Sequence, residues 1–369
     1  MSEEQRAAGL ITSVTIRNFK SIRNLTVPLE PLTAFIGYQD AGKSAILQAI
    51  ALALSAASLL RERPEATGGR LLETLVRDVL HAPLADVHAW RTALSKFQVT
   101  LRLQEGRSAV LAPFGEGSEL FGMLPEQVPC GAYIHFSSAA LKRPVYVESY
   151  PPRLASDGEN LPAVLAYLKG ERVERFLELQ KRFNALVPTV AEILTRRCPV
   201  VRTERRAVKV DDVETSHFVK REYMGDCLAF RLKTGEEVPA EAMSDGAMRI
   251  LGYLTALMAP PVPDVLLIEG PEEGLHPKTV EELVAFFRQV QNDQSVQILL
   301  TTHSPDFVSW LKPEEIIVVR RGADGYTEAR RMADVPNIKE WMEVLYPGEF
   351  WLMKGEEFLF KSEEEVINA

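Results

Sequence analysis

The stretch Gly37-Tyr38-Gln39-Asp40-Ala41-Gly42-Lys43-Ser44 decides the fold, because it fits the phosphate-binding pattern G-x-x-x-x-G-K-[ST]. The apolar segment 32–36 before it predicts a buried strand, and the apolar run from Ala45 to Leu60 predicts a helix. In such a strand–loop–helix, backbone N–H groups and the positive end of the helix dipole bind phosphate. A chance glycine turn is the alternative, and the flanking elements argue against it. The sequence therefore predicts a nucleotide site, with residues 37 to 45 around the phosphates.

Within this loop, two side chains have predicted chemical roles. Lys43 supplies a mobile cation for the β- and γ-phosphates, and Ser44 is positioned to bind Mg²⁺. A loop of this kind is shared by several classes of phosphoryl-transfer protein, so the rest of the chain must distinguish among them.

The overall composition is that of an ordinary soluble protein. The 369 residues are 46% hydrophobic and 25% charged, with a net charge of −9, so bulk charge does not indicate a nucleic-acid or membrane partner. Cys130, Cys198 and Cys227 are too widely spaced for a zinc site or a disulfide framework. We expect a cytoplasmic protein without a secretory signal or a membrane span.

Periodicity predicts an antiparallel lobe around the phosphate loop. Segments 10–17 and 22–29 alternate as two antiparallel strands, and 97–103 with 108–112 resembles a hairpin. We expect a helical insertion at about 61–95. The predicted divisions are lobe I at about 10–150, a helical and strand lobe at about 151–240, a second lobe at about 241–335 and a tail at 336–369.

One segment, Thr195 to Lys209, concentrates positive charge among β-branched residues and predicts a basic strand or hairpin. Such a patch suits either a solvated sheet edge protected by charge or a contact with a DNA phosphate backbone. The candidate DNA-contacting residues are Arg196, Arg197, Arg202, Arg205 and Arg206.

Two buried strands later in the chain end in polar side chains. The first, 264–269, ends in Glu269, which a parallel strand beside the phosphate loop would bring to the Mg²⁺ shell. The second is followed by His303, at the sheet edge where ligands bind, and an imidazole there can donate to a γ-phosphate oxygen. A structural acid and a structural helix-cap histidine are the alternatives.

A third segment, Ser244-Asp245-Gly246, opens an apolar helix at 250–258. Its free amides form an anion site that has no nucleotide motif of its own, so it would need a phosphate held elsewhere. An ordinary capped helix start is the alternative.

The order of GYQDAGKS at 37–44, SDGAMR at 244–249, LLIEGPEEGLHP at 266–277 and TTHSP at 301–305 resembles the bacterial ATPases related to RecF, SMC and OLD. The resemblance covers nearly the whole chain and implies an α/β P-loop NTPase fold, an ABC-ATPase-like head with a mixed sheet and an antiparallel lobe. It implies a homodimer that clamps two ATP molecules with Mg²⁺, with Ser244, Asp245 and Gly246 of one copy reaching the γ-phosphate held by the other. It also implies a role in DNA repair or anti-phage defence.

The chain departs from this family in three respects. No sustained heptads occur between Leu60 and Ser244, so no long coiled coil or loading arm is expected. No acidic metal cluster follows Arg331, so any cleavage would need a partner effector such as a nuclease. Gly270 stands where the family has its catalytic glutamate.

The glycine predicts slow hydrolysis. Glu272 is a candidate substitute base, but Pro271 restricts the backbone, and we expect Glu272 and Glu273 to point away toward the dimer interface. The sequence thus favours a dimerising ATPase that switches a partner effector. A nucleotide sensor that scarcely hydrolyses ATP, and a DNA-repair clamp using the basic segment, remain the alternatives.

Overall fold

The computed structural model describes residues 10–62, 97–111, 128–210, 213–362 and 364–365. Nearly all of the predicted insertion at 61–95 lies outside these residues. The chain divides into two units, one made of residues 1–133 with 263–369 and the other of residues 134–262. This division differs from the predicted lobes, because 241–262 groups with the helices before it and not with Glu269 and His303.

Thirteen strands and nine α-helices are named here within the described residues. The strands are β1 (Ile11–Phe19), β2 (Ile22–Pro28), β3 (Leu32–Ile36), β4 (Gln98–Leu103), β5 (Ser108–Leu111), β6 (Gly131–Ile134), β7 (Val190–Val210), β8 (Val213–Leu232), β9 (Glu237–Pro239), β10 (Val265–Glu269), β11 (Gln297–Thr301), β12 (Ile316–Arg321) and β13 (Thr327–Arg331). The helices are α1 (Lys43–Glu62), α2 (Ser138–Lys142), α3 (Leu161–Glu171), α4 (Val173–Leu186), α5 (Asp245–Met258), α6 (Pro277–Gln294), α7 (Pro305–Ser309), α8 (Ile338–Met342) and α9 (Pro347–Leu359).

The first unit contains two sheets. A six-stranded sheet has the order β13-β12-β3-β11-β10-β6, in which β12, β3, β11 and β10 are parallel and β13 is antiparallel to β12. A four-stranded sheet has the order β2-β1-β4-β5, and its strands are antiparallel. The predicted mixed sheet and antiparallel lobe are therefore confirmed.

Helix α1 packs between these two sheets. It contacts β1, β4 and β5 on one side and β10 and β11 on the other. Its 20 residues are long and apolar enough to cross a bilayer by length and composition, but most of them are buried in this core. The apolar run that follows the phosphate loop is thus explained by burial of the helix between the two sheets.

A single glutamine ties the N-terminal strand to the six-stranded sheet. Gln297 is buried; its Oε1 accepts from the Ile11 N–H at 2.9 Å, and its Nε2 donates to the Ile11 carbonyl at 2.8 Å. Nε2 also lies 3.1 Å from the Glu30 carbonyl. The buried side-chain amide is thereby satisfied, as a polar group in a core must be.

The second unit is built on a long antiparallel hairpin. Strands β7 and β8 pair from Val190↔Leu232 to Val210↔Val213, and β9 adds a short third strand. Helices α3, α4 and α5 pack on one another, and α3 and α4 also contact this sheet. The basic segment, predicted as a strand or a hairpin, lies on β7 and is thus one strand of this hairpin.

The region predicted as a C-terminal tail is folded through Leu359. Helix α9 packs on α7 and β12, and Phe350 and Leu359 are buried. At Gly348 an added Cβ would lie 1.9 Å from the Pro305 carbonyl oxygen, so only glycine permits α9 to approach α7 this closely. In this region apolar residues are scattered among many charged ones, so the sequence shows no regular apolar pattern that would predict this packing.

Candidate nucleotide-binding site

The phosphate loop connects β3 to α1 and has the backbone shape that its glycines predict. Gly37 and Gly42 have φ values of +140° and +109°, and Asp40 also has a positive φ of +59°. A Cβ on Gly37 would lie 2.0 Å from the Val319 carbonyl oxygen, and one on Gly42 would lie 2.2 Å from Thr327 Oγ1. Both positions therefore require glycine for conformation and for space.

Two backbone carbonyl groups of the phosphate loop accept hydrogen bonds from side chains of the β12–β13 hairpin. Arg321 Nε donates to the Asp40 carbonyl at 2.7 Å, and Thr327 Oγ1 donates to the Ala41 carbonyl at 3.0 Å. Thr327 Oγ1 also lies 2.8 Å from Ser21 Oγ. These contacts fix the loop before a ligand binds. No sequence motif identifies Arg321 or Thr327 as part of the site.

Lys43 is the first residue of α1 and is only 5% exposed. Its Nζ donates to the Gly37 and Tyr38 carbonyls at 2.8 and 2.7 Å. Burial lowers the pKa of Lys43 to about 8, and the nearby carboxylates of Glu356, Asp40, Glu269 and Glu272 act in the opposite direction. A phosphate group could replace the two carbonyls and bring further negative charge to this cation.

A cleft of about 400 Å³ lies over this loop. Six side chains that matter for phosphate chemistry line it, namely Lys20, Lys43, Ser44, Gln48, His303 and Arg321. The lining of the cleft is therefore rich in positively charged side chains and in side chains that can donate hydrogen bonds. The exposed Tyr38 is not part of the lining, although it belongs to the loop.

The acidic strand β10 was predicted to lie beside the phosphate-loop strand β3, but the two strands are not adjacent in the sheet. Strand β11 lies between β3 and β10. Glu269, at the end of β10, is therefore two strands away from the phosphate-loop strand β3, and His303 follows the intervening strand β11. All three strands are parallel, so their carboxyl ends share one edge of the sheet. Glu269 still acts electrostatically on Lys43 and on Lys20.

Glu269 belongs to a row of hydrogen-bonded side chains. Tyr133 Oη donates to Glu269 Oε1 at 2.8 Å, and Gln48 Nε2 lies 3.5 Å from Tyr133 Oη. Lys20 Nζ donates to Gln48 Oε1. No sequence motif indicates that Lys20, Gln48, Tyr133 and Glu269 meet.

The prediction that Glu272 points away from the site is wrong. Glu272 Oε1 accepts from the His303 backbone N–H at 3.0 Å, while its Oε2 is buried without a hydrogen-bond partner. Burial raises the pKa of the Glu272 carboxyl. Gly270 has a φ of +54° and makes the turn that reverses the chain after β10, so Pro271 does not carry Glu272 outward. Glu273, by contrast, is exposed.

His303 lines the cleft as expected of a residue that follows a parallel strand. Burial and the neighbouring Lys43 charge lower the pKa of His303, which favours the neutral imidazole. The residue after it, Ser304, caps α7 by accepting from the Phe307 N–H at 3.2 Å. His303 thus stands between the phosphate loop and Glu272.

The segment Ser244-Asp245-Gly246 begins α5 in the second unit. Ser244 Oγ accepts from the Ala247 N–H at 3.2 Å, so Ser244 is the N-cap of a 14-residue helix. Asp245 forms an ion pair with Lys142 at 2.6 Å, and this pair lowers the pKa of Asp245. The capped helix start is therefore real, and a phosphate from a second molecule is not needed to explain it.

The arginines of the basic segment that the structure describes are paired with acids. Arg197 contacts Asp226 at 3.0 Å, Arg202 contacts Glu148 at 3.2 Å, and Arg196 contacts Glu237. The side chains of Arg205 and Arg206 lie outside the described residues. The described part of this patch is charge-compensated, which favours the interpretation of a charge-protected sheet edge.

Two family models match the sequence. One is described as an AAA ATPase domain and matches residues 10–81, and the other is described as "AAA domain, putative AbiEii toxin, Type IV TA system" and matches residues 178–309. These segments contain the phosphate loop, the α5 cap, Glu269 and His303.

Among proteins of known function, the chain is similar to an OLD nuclease of Thermus scotoductus, with 21% identity over 360 residues. The match covers 85% of this chain and 63% of the nuclease, so the chain spans less than two thirds of that relative. Among solved structures, the fold is similar to an Smc head domain from Pyrococcus furiosus bound to the C-terminal domain of ScpA. That match has a TM-score of 0.52 and 12% identity, and it covers 90% of this chain and 99% of the other.

Proposed function

Because the chain is an AAA-type ATPase related to the RecF, SMC and OLD proteins, we propose that it binds ATP over Lys43, hydrolyses it slowly and thereby switches a partner protein. The observation that carries this proposal is the convergence of Lys43, Glu269, Glu272 and His303 at one edge of the six-stranded sheet. Positioning and electrostatic stabilisation of phosphate are what phosphoryl transfer requires of a protein.

The donor set fits Mg²⁺ held jointly with the nucleotide. Mg²⁺ is usually bound by one or two carboxylates, phosphate oxygens and water. Ser44 offers a hydroxyl and Glu269 a carboxylate, and within the described residues no three His, Cys, Asp or Glu side chains could hold a metal on their own. When bound, the ion would neutralise phosphate charge. Ser44 and Glu269 would hold it, while Lys43 contacts the β- and γ-phosphates.

Slow hydrolysis follows from Gly270. A glycine offers no carboxylate to orient and deprotonate the attacking water, and losing such a base typically costs about 10²- to 10⁴-fold in rate. Glu272 is the nearest substitute in sequence, but one of its oxygens is engaged by the His303 backbone. In this proposal Glu272 links the loop after β10 to the γ-phosphate-sensing His303.

ATP-dependent dimerisation is the second part of the proposal. The N-terminus of α5 carries Ser244, Asp245 and Gly246 with the positive end of a helix dipole. The γ-phosphate of a nucleotide held by a second copy is the ligand that this surface suits. Slow hydrolysis would then make the closed homodimer long-lived, which suits a switch better than a motor.

The third part is a partner effector. The Smc head of similar fold was crystallised with a domain of ScpA, and the OLD nuclease is longer than this chain. We propose that this chain acts on a separate effector, such as a nuclease, in anti-phage defence or DNA repair in the cytoplasm. A nucleotide sensor with almost no turnover is the nearest alternative. The DNA clamp is less favoured, because Arg196, Arg197 and Arg202 are paired with acids.

Light scattering and ATP turnover, measured on the same preparation, test the proposal. We expect monomers without nucleotide, dimers with ATP and Mg²⁺, and a return to monomers at the rate of slow hydrolysis. Absence of ATP binding would overturn the whole proposal, and ATP binding without any turnover would favour the sensor. Co-purification with and without ATP, followed by identification of bound protein and nucleic acid, then identifies the partner.

A further inference from the structure

A tyrosine on the edge strand of the six-stranded sheet contacts the acid proposed to support Mg²⁺. Tyr133 lies on β6, next to β10 in the sheet, and its Oη donates to Glu269 Oε1 at 2.8 Å. The two residues are 136 positions apart in the sequence. Tyr133 belongs to none of the motifs described above and lies outside the segments that the two family models match.

The phenol is held in place from two sides. At the start of β6 a Cβ on Gly131 would lie 2.5 Å from Leu54 Cδ1, so the strand packs tightly on α1. Gln48 of the same helix contacts Tyr133 Oη at 3.5 Å and also accepts from Lys20. The phenol hydroxyl is thereby directed at the Glu269 carboxylate as a hydrogen-bond donor.

We propose that Tyr133 is a positioning residue that fixes the Glu269 carboxylate in the orientation required by the metal of the bound nucleotide. A carboxylate at the end of a strand has several rotamers, and a fixed hydroxyl donor selects one of them. Groups that orient a metal ligand typically contribute 10- to 100-fold to metal affinity. The inference rests on the proposed function, because it assumes that Glu269 supports Mg²⁺.

Tyr133→Phe tests this assignment, because it removes only the hydroxyl. The affinity for a non-hydrolysable ATP analogue is measured by calorimetry in EDTA and then at increasing Mg²⁺. We expect unchanged affinity in EDTA and about a tenfold higher Mg²⁺ concentration for the half-maximal effect. Tyr146→Phe is the matched control, since Tyr146 stacks on Tyr223 in the other unit with ring centroids 4.4 Å apart. It should match the parent in both conditions.

A double-mutant cycle with Glu269→Gln shows whether Tyr133 acts through Glu269. In a Glu269→Gln background the additional Tyr133→Phe change should leave the Mg²⁺ requirement unchanged, because residues that act as a unit are not additive. An unaltered Mg²⁺ requirement in Tyr133→Phe, or equal effects in both backgrounds, would overturn the assignment alone. A parent that binds the analogue equally well with and without Mg²⁺ would overturn the metal site and this inference together, while nucleotide binding would stand.

Discussion

Glu272 Oε1 accepts a hydrogen bond from the backbone N–H of His303 across 3.0 Å, which joins the loop after β10 to the loop after β11. The contact places a half-buried carboxylate beside the residue proposed to sense the γ-phosphate. Because Glu272 Oε2 is buried without a partner, this group is costly in its present state.

Lys43→Ala should abolish tight ATP binding, because it removes the cation placed over the β- and γ-phosphates. Calorimetry with ATP and Mg²⁺ measures the effect. Lys181→Ala is the control, since Lys181 is an exposed lysine on α4 in the other unit, and it should leave the dissociation constant unchanged. An unchanged constant for Lys43→Ala would mean that the loop does not bind the nucleotide.

ATP binding should take up a proton above about pH 8. Burial lowers the pKa of Lys43 to about 8, so the ammonium is increasingly neutral above that pH, and phosphate charge should draw the proton back. Below about pH 7 Lys43 is already protonated and contributes no uptake. Calorimetry in two buffers of different ionisation enthalpy measures the uptake, and His303→Asn serves as the control for the other titrating group in the cleft. Equal enthalpies in both buffers at pH 8.5 would contradict the prediction.

Glu356→Gln should shift that proton uptake to lower pH. Glu356 is 3% exposed on α9 and is the strongest of the carboxylates that raise the pKa of Lys43. Glutamine removes the charge and can still accept from Trp351 Nε1, which lies 3.0 Å from Glu356 Oε1. The exposed Glu357→Gln change is the neighbouring control. A midpoint that does not move would show that the C-terminal helix has no electrostatic influence on the phosphate loop.

Ser244→Arg should leave ATP binding to the monomer nearly intact and block ATP-dependent dimerisation, because a bulky cation replaces the small residue proposed to approach the second copy's phosphate. Loss of the N-cap alone costs about 1 kcal/mol of stability. Ser244→Ala removes the cap without the bulk and separates the two effects. Light scattering with ATP provides the measurement, and normal dimerisation of the arginine variant would exclude the arrangement between copies.

Gly270→Glu should raise turnover and shorten the lifetime of the ATP-bound dimer by restoring a carboxylate for the attacking water. The change is strained, because Gly270 has a φ of +54° and a Cβ there would lie 2.8 Å from Glu273 Oε1. We expect it to lower stability by about 1–2 kcal/mol. Gly270→Ala carries the same backbone strain without the carboxylate and should not gain activity. Fast turnover in the parent that is lost in Glu272→Gln would instead identify Glu272 as the base.

The sequence by itself determined the features that depend on local chain chemistry. The glycines at 37 and 42 are required by backbone conformation and close packing, and the apolar periods on either side define a strand and a helix. The same local rules located Ser244 at a helix cap and Glu269 and His303 at strand ends. The phosphate loop, Glu269 and His303 form the framework of the nucleotide site in the first unit, whereas Ser244 lies in the second unit.

Only the tertiary structure decided which distant side chains meet at that framework. The insertion of β11 between β3 and β10, the inward turn of Glu272 at Gly270, the contact of Tyr133 with Glu269 and the approach of Glu356 toward Lys43 all depend on it. Strand order and side-chain rotamers are set by packing among segments far apart in the chain, and a local pattern carries no information about that packing. The sequence therefore predicts the phosphate loop, Glu269 and His303, but it does not predict the distant side chains that contact these residues or change their pKa values.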